Sequence, residues 1–372
     1  ICMKKRIFLA PMNWGLGHAT RCIPLINSLL QKGCEVVLGG EGESLTLLTR
    51  HFPELSAIEL PAYHIRYAEK GSQVLALLKQ VPYLLKTFNQ EQAYLQKLIS
   101  QFQFDAVISD NRYGLHSDKV PTVFMTHQIA PIAPLRRLVY HLHCQYMKRF
   151  MFRWIPDFPS DSPHTLSASL SHRFPLPSNT YFLGALSQFE EKSETNKLLL
   201  SNLLPEKIDI VVVLSGPEPQ RSLFAEQIKS QANLISHRNI LLIAGKTQEE
   251  VQYQENNLTY FSHLQKVDLQ YVLSHAKLVI ARSGYSSLMD FASLGLKNVY
   301  FVPTTGQTEQ EHLAEVLAEK NIAPFAFQKN FSILAVTKEK THYTGFSTFQ
   351  TAPELRELAF SHLWAAMNEN SK

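Results

Sequence analysis

The sequence has little cysteine, little charge of either sign and no long apolar run. Its four cysteines show no CxxC spacing, which argues against a disulfide framework or a zinc site and fits a reducing compartment. No apolar run reaches the roughly 20 residues that cross a bilayer, and the basic residues near the start lead into a strand-like segment rather than a signal-peptide core. We therefore expect a cytoplasmic protein.

The charge balance and the motifs argue against two further classes. A formal net charge of +4 in 372 residues is too small to favour nucleic acid as a partner. The sequence lacks an Asp-x-Asp motif of the kind that holds a divalent metal, so we expect no metal and no resident cofactor. What it does have is apolar side chains, at 45% of residues, enough for the cores of two domains.

Short apolar segments alternate with helix-length amphipathic stretches in two series. The first series comprises residues 7–10, 35–38, 105–108 and 122–126, and the second comprises 208–214, 240–244, 258–261, 278–281 and 299–302. This alternation predicts parallel βα units, and hence an α/β chain with two Rossmann-like, doubly wound sheets.

Three parts of the chain are expected from this pattern. Residues 1–182 are expected to form an N-terminal domain, which includes a proline-rich crossing at 156–182. Residues 183–350 are expected to form a C-terminal domain. The helical pattern within 351–372 predicts a terminal helix that packs back on the N-terminal domain.

The turn after the first predicted strand is a candidate site, because ligands of open α/β sheets bind beyond the carboxyl ends of the strands. Gly15 and Gly17 are predicted donor-binding residues, because they allow the backbone to approach a ligand closely and the helix that begins there favours negative charge. His18, in the first helical turn, can accept a proton from a sugar hydroxyl. The alternative is a tight turn in which His18 caps the helix for structural reasons.

A second candidate turn lies after the predicted strand that ends at Ala281. Small residues and hydroxyls surround a helix N-terminus that can hold a diphosphate without metal, and Asp290 can bind two ribose hydroxyls. The alternative is simple N-capping by Ser283 or Ser286. The predicted donor residues here are Arg282, Ser283, Gly284, Tyr285, Ser286 and Asp290.

Three other strand ends carry polar or glycine residues. Ser215 and Gly216 form a glycine turn at the start of the second half, and Thr305 and Gly306 lie in a polar loop suited to sugar hydroxyls. Asp110 ends a strand of the first half, where it can orient His18 or act as the base itself. Its alternative is a turn aspartate bonded to local amides.

These motifs resemble those of the family 28 glycosyltransferases, which have the GT-B fold of two Rossmann-like domains facing an interdomain cleft. Residues 13–21 are similar to the family's glycine-rich turn, and residues 282–290 to its donor motif, where an acidic residue binds ribose. The resemblance implies that residues 1–182 form the acceptor-side domain and residues 183–350 the donor-binding domain. It also implies that the backbone of Phe261 and Ser262 reads uracil. Gln310 and Glu311 lie where the family offers two glutamines to the donor sugar, and Glu311 departs from that pattern.

A second resemblance concerns the acceptor side. Residues 109–114 and 14–21 resemble motifs of an uncharacterised set of bacterial glycosyltransferase-like proteins. Residues 126–128 are similar to the acceptor-side histidine motif of family 28. These resemblances imply that Asn111, Arg112 and His127 lie on the acceptor side.

An acid-free stretch from Lys119 to Pro156 carries cations interleaved with apolar residues. This pattern predicts a basic amphipathic helix that rests on an anionic membrane surface at the inner face of the membrane. The alternative is a core helix with snorkelling cations. The membrane-surface candidates are Arg136, Arg137, Lys148, Arg149 and Arg153.

Together these features predict an inverting, metal-independent glycosyltransferase. It would move a hexosyl or N-acetylhexosaminyl group from a uridine diphosphate sugar to an acceptor, lipid-linked if the basic stretch binds membrane, with His18 or Asp110 as base. The alternatives are a nucleotide-sugar hydrolase, an epimerase, and a non-catalytic sugar-nucleotide-binding subunit of a partner enzyme.

Overall fold

The computed structural model describes residues 4–63, 73–190, 204–205, 207–216, 218–338 and 342–370. The chain divides into two compact units. Unit 1 comprises residues 1–187 and 351–372, and unit 2 comprises residues 188–350.

Unit 1 is built on a seven-stranded sheet in which every neighbouring pair is parallel. Its strand order is β3-β2-β1-β4-β5-β6-β7. The strands are β1 (Arg6–Pro11), β2 (Glu35–Gly40), β3 (Ala57–Glu59), β4 (Ala106–Asp110), β5 (Thr122–Met125), β6 (Phe152–Ile155) and β7 (Thr180–Phe182). The helices are α1 (Leu16–Gln31), α2 (Gly42–His51), α3 (Gln73–Phe102), α4 (Arg136–Met147), α5 (Ser169–His172) and, from the end of the chain, α11 (Pro353–Glu369).

The central strands β1, β2, β4 and β5 are mostly buried, as expected for a parallel sheet whose faces are covered by helices. Phe8 of β1 stacks on Phe104, with 5.0 Å between ring centroids, and Leu95 and Leu98 of α3 are buried in the same cluster. Residues 156–182, predicted to be a crossing between domains, contain α5 and β7 and lie within unit 1.

The terminal helix α11 packs on the sheet of unit 1. Phe360 lies edge-on to the fully buried Trp154 of β6, with ring centroids 5.5 Å apart. Lys32 forms an ion pair with Glu357 at 2.5 Å. Helix α11 therefore covers the part of the sheet that β6 forms.

Unit 2 contains a six-stranded sheet of order β10-β11-β9-β8-β12-β13. The strands are β8 (Ile210–Val213), β9 (Ile240–Ile243), β10 (Gln252–Glu255), β11 (Leu258–Phe261), β12 (Leu278–Ala281) and β13 (Val299–Phe301). The helices are α6 (Gln220–Gln231), α7 (Lys266–His275), α8 (Tyr285–Leu294), α9 (Thr308–Glu319) and α10 (Ile333–Lys338), and short 3₁₀ helices lie at 232–235 and 328–330. The predicted fold class, two mainly parallel doubly wound sheets, is confirmed.

Strand β10 was not predicted, and it pairs antiparallel with β11. All four of its residues are exposed and polar or aromatic, so it lacks an apolar run. Strands β3, β6 and β7 were not predicted either, since β6 lies in the stretch predicted as a basic helix and β7 in the predicted crossing.

The strand order fixes where each unit can bind ligands. In unit 1, β2 lies on one side of β1 and β4 lies on its other side, so the direction of winding reverses at β1. In unit 2, β9 and β12 lie on opposite sides of β8 in the same way. These reversals open a crevice at the carboxyl ends of β1 and β4, and another at those of β8 and β12. The candidate residues lie at these two switch points.

Candidate functional site

The β1–α1 turn places His18 at the switch point of unit 1. Gly15 precedes the helix with φ of +82°, a conformation that side-chain-bearing residues rarely adopt. The helix begins at Leu16, and its first turn contains Gly17 and His18. Asp110 is the last residue of the neighbouring strand β4, so the two side chains meet across the crevice.

The structure brings four polar side chains together there. His18 Nδ1 lies 3.0 Å from Asp110 Oδ2, and Arg21 donates to the same carboxylate from Nε, at 2.8 Å, and from Nη2. Arg21 Nη1 lies 2.9 Å from His127 Nδ1. Asp110, Arg21 and His127 are almost fully buried, and the His18 side chain is 12% exposed.

Burial and charge set the protonation states in this cluster. Burial lowers the pKa of His18 below its ordinary 6.5, although Asp110 acts in the opposite direction. Burial by itself would raise the pKa of Asp110, but Arg21 and His18 lower it to about 2. The cluster thus holds a charged Asp110–Arg21 pair beside a neutral imidazole near pH 7, which suits His18 to proton acceptance.

Arg21 was missed by the sequence analysis although it lies three residues after His18. Residues at this spacing share one face of a helix, and Asp110 was already predicted to face the same crevice. A buried arginine on that face needs a carboxylate partner, and this was the available signal. Cys22, whose Sγ lies 3.9 Å from Asp110 Oδ2, stays protonated because burial raises its pKa.

Arg112 differs from its predicted acceptor-side role. Its guanidinium is fully buried, donates to Glu91 Oε1 at 2.5 Å and to Pro61 O at 2.7 Å, and lies 4.7 Å from the Tyr63 ring centroid. It is therefore a structural residue that ties α3 and the chain after β3 to the end of β4. Asn111 is half-buried with φ of +61° and shapes the turn that leads away from Asp110.

In unit 2 the loops after β8, β12 and β13 converge at the switch point. Gly284 caps the N-terminus of α8, and a side chain there would lie 4.0 Å from Gln310 Nε2. Ser283 Oγ donates to Gln310 O at 2.7 Å. Gly216, with φ of +97°, lies beside Thr304. The sequence-predicted donor residues of these three loops are thus brought together.

Asp290 lies in the second turn of α8. Gln188 donates to it twice, from its backbone N–H at 3.3 Å to Oδ1 and from Nε2 at 2.9 Å to Oδ2. These contacts orient the carboxylate. Gln188 was not among the predicted residues, because nothing near it in sequence points to Asp290.

Arg282 differs from its prediction as a donor ligand. Its guanidinium is buried over the Phe224 ring and donates to Val302 O at 3.0 Å and to Gln220 O at 3.0 Å. The side chain therefore holds the loops after β8 and β13 in place from beneath rather than facing a ligand.

The prediction for Phe261 and Ser262 also requires correction. The Ser262 N–H donates to Val251 O at 2.8 Å, and its carbonyl accepts from Lys246 N at 2.7 Å. The Phe261 carbonyl accepts from Ala244 N at 2.9 Å. The Ser262 N–H is thus engaged by the β9–β10 connection and does not read a base in this conformation, while the two carbonyls each keep one lone pair.

The other predicted donor residues differ in how deeply they are buried. Gln310 is buried and accepts from Thr304 N at 2.9 Å, while Glu311 accepts from Gly306 N at 3.2 Å, so both shape the loop after β13. Tyr285 is buried at the start of α8. The remaining residues are at least partly exposed at the switch point, and they are Ser215, Gly216, Ser286, Thr305 and Gly306.

The basic stretch forms three elements rather than one amphipathic helix. Helix α4 ends at Met147, and Arg153 is buried in strand β6, where it donates to Ser178 O at 3.1 Å. Arg136 is held by Ala130 O and Ser169 O. These two cations are structural, which corrects their prediction as membrane contacts. Three predicted cations remain exposed: Arg137, Lys148 and Arg149.

Helix α4 also presents leucines to the outside. Leu135, just before the helix, is 76% exposed, and Leu138 and Leu142 are 54% and 55% exposed. We call Leu135, Arg137, Leu138, Leu142, Lys148 and Arg149 the α4 surface. Within the described ranges, no helix is long and apolar enough to cross a membrane. No group of three metal-ligating side chains occurs among the described residues.

A family model and two relatives that match this chain are all glycosyltransferases by description. Residues 210–353 match the model of the glycosyltransferase family 28 C-terminal domain. Two relatives called uncharacterized glycosyltransferase come from Methanosarcina acetivorans (25% identical) and Methanosarcina mazei (27% identical). Each alignment covers 86% of this chain and 84% of the relative.

Solved structures share the fold of the whole chain at low identity. Glycosyltransferase SnogD of Streptomyces nogalater is 15% identical, with a TM-score of 0.61, and covers 99% of this chain and 96% of its own. MurG of Acinetobacter baumannii is 16% identical, with a TM-score of 0.54 and 99% of each chain covered. A Listeria monocytogenes protein described as a UDP-N-acetylglucosamine 2-epimerase is 11% identical, with a TM-score of 0.64, covering 100% and 98%.

The family match covers the loops after β8, β12 and β13, which converge in unit 2, and the solved neighbours share the two-sheet architecture. The chain is a glycosyltransferase of the GT-B fold, and its residues 210–353 match the family 28 C-terminal domain.

Proposed function

We propose that the protein is an inverting, metal-independent glycosyltransferase in which His18 is the general base. The observation that supports this most directly is the 3.0 Å contact between His18 Nδ1 and the buried Asp110 carboxylate. A carboxylate at Nδ1 orients the ring and stabilises the imidazolium that forms on proton transfer. Asp110 itself is a poor base, since its pKa is lowered to about 2.

The transfer balances as one displacement. The acceptor hydroxyl loses its proton to His18 Nε2 as its oxygen bonds to the anomeric carbon of the sugar. The bond from that carbon to the diphosphate oxygen breaks on the opposite face, which inverts the configuration. The nucleoside diphosphate leaves with the bonding electron pair, and the N-terminus of α8 stabilises its added negative charge.

The donor we propose is a uridine diphosphate sugar bound by unit 2. Its diphosphate would lie at the N-terminus of α8 beside Gly284, with the ribose hydroxyls on Asp290. The spinosyn rhamnosyltransferase SpnG, which shares the fold at a TM-score of 0.59, was solved with thymidine diphosphate. Thymidine diphosphate lacks the ribose 2′-hydroxyl, so an Asp290 that binds both hydroxyls would favour the uridine nucleotide.

The donor proposal is tested by calorimetry on Asp290→Ala. We expect the variant to bind uridine diphosphate more weakly by about 1 to 3 kcal/mol, because charge-assisted hydrogen bonds to ribose are lost. Wild-type protein should prefer uridine diphosphate to its 2′-deoxy form, and the variant should lose this preference. Glu255→Ala, which removes an exposed acid of β10 in the same unit, is the matched control. Unchanged affinity in a folded Asp290→Ala protein would contradict the proposal.

For the acceptor we propose a lipid-linked hydroxyl compound reached from an anionic membrane surface. The support is the α4 surface, where exposed leucines adjoin exposed cations in unit 1. We therefore propose that the protein acts at the periphery of a membrane, with a sugar nucleotide and a lipid-linked acceptor as its partners.

The hydrolase and epimerase alternatives share the donor site and differ in the fate of the donor sugar. The Listeria monocytogenes neighbour shares only the fold at 11% identity and does not favour epimerisation. Incubation of the protein with a uridine diphosphate sugar in the absence of acceptor separates them. Release of free sugar would identify a hydrolase, and a change of sugar stereochemistry would identify an epimerase, whereas a transferase leaves the donor largely intact.

A further inference from the structure

We propose that Arg21 is a positioning residue that assigns opposite hydrogen-bonding roles to the two histidines beside it. It acts on His18 through Asp110, which it holds in place to take the proton of His18 Nδ1 so that Nε2 accepts, and it acts on His127 directly, because donation to Nδ1 leaves the proton of that ring on Nε2, which only donates. This inference rests on the proposed function for the catalytic meaning of His18, but not for the tautomers themselves.

The guanidinium of Arg21 touches both histidines and the carboxylate between them. Nε and Nη2 donate to the two oxygens of Asp110, and Nη1 lies 2.9 Å from His127 Nδ1. A guanidinium is planar, always charged and carries only donors, so it cannot adapt its role to its neighbours. With 2% of its surface exposed, it also has little access to water.

The assignment for His127 is dictated by the donor-only chemistry of Arg21. Nδ1 must accept from Nη1, so the single proton of the neutral ring lies on Nε2. The Gln128 amide nitrogen lies 3.4 Å from His127 Nε2 and is also a donor. A neutral ring cannot accept at both nitrogens, and rotation of the amide by 180° presents its oxygen to the Nε2 proton instead.

The ring of His127 is further held by the surrounding chain. Ser171 Oγ donates to the His127 carbonyl at 2.6 Å, and the residue is 4% exposed. This bond holds the backbone at His127, and a flip that exchanged the two ring nitrogens would break the contact of Nδ1 with Arg21.

The assignment for His18 is decided by competition at Nδ1. That atom lies 3.0 Å from Asp110 Oδ2 and 2.9 Å from Arg21 Nη2, and only one of these contacts can be a hydrogen bond of a neutral ring. Arg21 already donates to Asp110 through Nε and Nη2. A buried carboxylate gains from each further donor, so the proton lies on Nδ1 and points to Asp110.

The consequence is an asymmetric pair of imidazoles around one buried ion pair. The charged and titratable groups that act on His18 are Asp110 on β4, Arg21 on its own helix and His127 after β5. Arg21 opposes protonation of His18 through its positive charge, while Asp110 favours it. Burial is the largest cause of the lowered His18 pKa, and the charge of Arg21 adds to it against Asp110. His18 is therefore neutral and unprotonated at Nε2, the state that a general base requires.

The tautomers are measured directly by long-range proton–nitrogen NMR correlation of the full-length protein labelled with ¹⁵N-histidine near pH 7.5. Single variants His18→Gln and His127→Gln assign the two signals. We expect Nδ1–H for His18 and Nε2–H for His127 in the wild-type protein. Nε2–H at His18, or Nδ1–H at His127, overturns the proposal. This measurement needs no Arg21 variant, so it decides even if such a variant does not fold.

Arg21→Lys then tests whether Arg21 is the cause. Lysine retains the charge but cannot bridge Asp110 and His127 with a planar fork. We expect His127 to populate both tautomers in this variant, while His18 keeps its proton on Nδ1 because Asp110 remains. His172, whose Nε2 lies 3.3 Å from Asp157, is the internal control and should be unchanged. A His127 that remains wholly Nε2–H in folded Arg21→Lys protein overturns the role of Arg21.

These outcomes are separable from failure of the proposed function. If the tautomers are as expected and His18→Gln retains full turnover, His18 is not the base but the positioning role of Arg21 stands. If His18→Gln loses turnover and the tautomers differ, the base is retained and the role of Arg21 is refuted.

Discussion

At the residue scale, the chemistry of unit 1 depends on a buried charge pair that borders a neutral imidazole. Asp110 and Arg21 are each about 1–2% exposed, so neither charge is compensated by water. Removal of one partner would leave the other uncompensated and cost roughly 3–5 kcal/mol of folding free energy. The His18 side chain, at 12% exposed, is the member of the group that keeps contact with the outside.

The first residue-scale prediction concerns His18→Ala. We expect affinity for uridine diphosphate to stay unchanged, because the donor residues lie in unit 2, whereas turnover falls by about 100-fold or more when a general base is removed. His237→Ala, at an exposed position of unit 2, is the control for the loss of a histidine. Near-normal turnover in His18→Ala would transfer the role to another group and leave room for the non-catalytic-subunit alternative.

The pH dependence of turnover is set by the direction of the His18 pKa. Only the neutral ring accepts a proton, so the rate should fall as the pH drops through the pKa of His18. Burial lowers that pKa from 6.5, so the acid limb should lie below pH 6.5 in a plot of kcat/KM against pH. An acid limb above pH 6.5 would contradict this assignment.

At the scale of single elements, the structure distinguishes two kinds of cation in and around α4. The sequence pattern did not distinguish them. Arg136 and Arg153 bond to backbone carbonyls inside unit 1, whereas Arg137, Lys148 and Arg149 are exposed beside Leu138 and Leu142. Arg136 and Arg153 therefore belong to the acid-free stretch for structural reasons. The three exposed cations are the ones that can contact a membrane.

The element-scale prediction concerns binding of the α4 surface to vesicles. We expect the protein to sediment with vesicles of anionic lipid and not with neutral vesicles, and the bound fraction to fall as salt rises over the physiological range. Leu138→Asp combined with Leu142→Asp should abolish this binding. Leu358→Asp, which places a charge at a leucine that is 53% exposed on α11 of the same unit, is the matched control. Equal sedimentation with neutral vesicles would count against the membrane proposal.

At the scale of the whole molecule, each unit has its own sheet, its own core and its own switch point. The core of unit 2 packs Phe224 and Ile228 of α6 and Ile333 of α10 against the strands, and that of unit 1 packs α3 against β1, β2 and β4. Under the proposed function, donor binding belongs to unit 2 and proton acceptance belongs to unit 1.

The whole-molecule prediction is that uridine diphosphate protects one unit from hydrogen exchange. We expect slower exchange in residues 214–216, 282–290 and 303–311 at saturating nucleotide, because a ligand that binds the native state suppresses local opening around it. Addition of nucleotide should not change the exchange rates of residues 12–21 in unit 1. Peptides from β7 and α11 serve as references. Protection confined to unit 1 would show that the donor site has been placed in the wrong unit.

The sequence by itself determined the two series of strands except β3, β6 and β7, the turns at Gly15 and Gly284, and the resemblance of the second half to family 28. These depend on local rules, namely the period of apolar residues and the backbone freedom of glycine, which can be read over a few positions. The exposed strand β10 escaped because its residues carry no apolar run.

Only the tertiary structure decided which polar residues face a ligand and which hold the fold. Arg21 and Asp110 are 89 positions apart, and Arg21 and His127 are 106 apart, so strand order had to bring them together. Arg112 and Arg282, both placed at ligands by their motifs, are instead buried against distant carbonyls and carboxylates. The reason is physical, since a buried charge is stable only beside its partner, and that partner is chosen by long-range packing rather than by sequence neighbours.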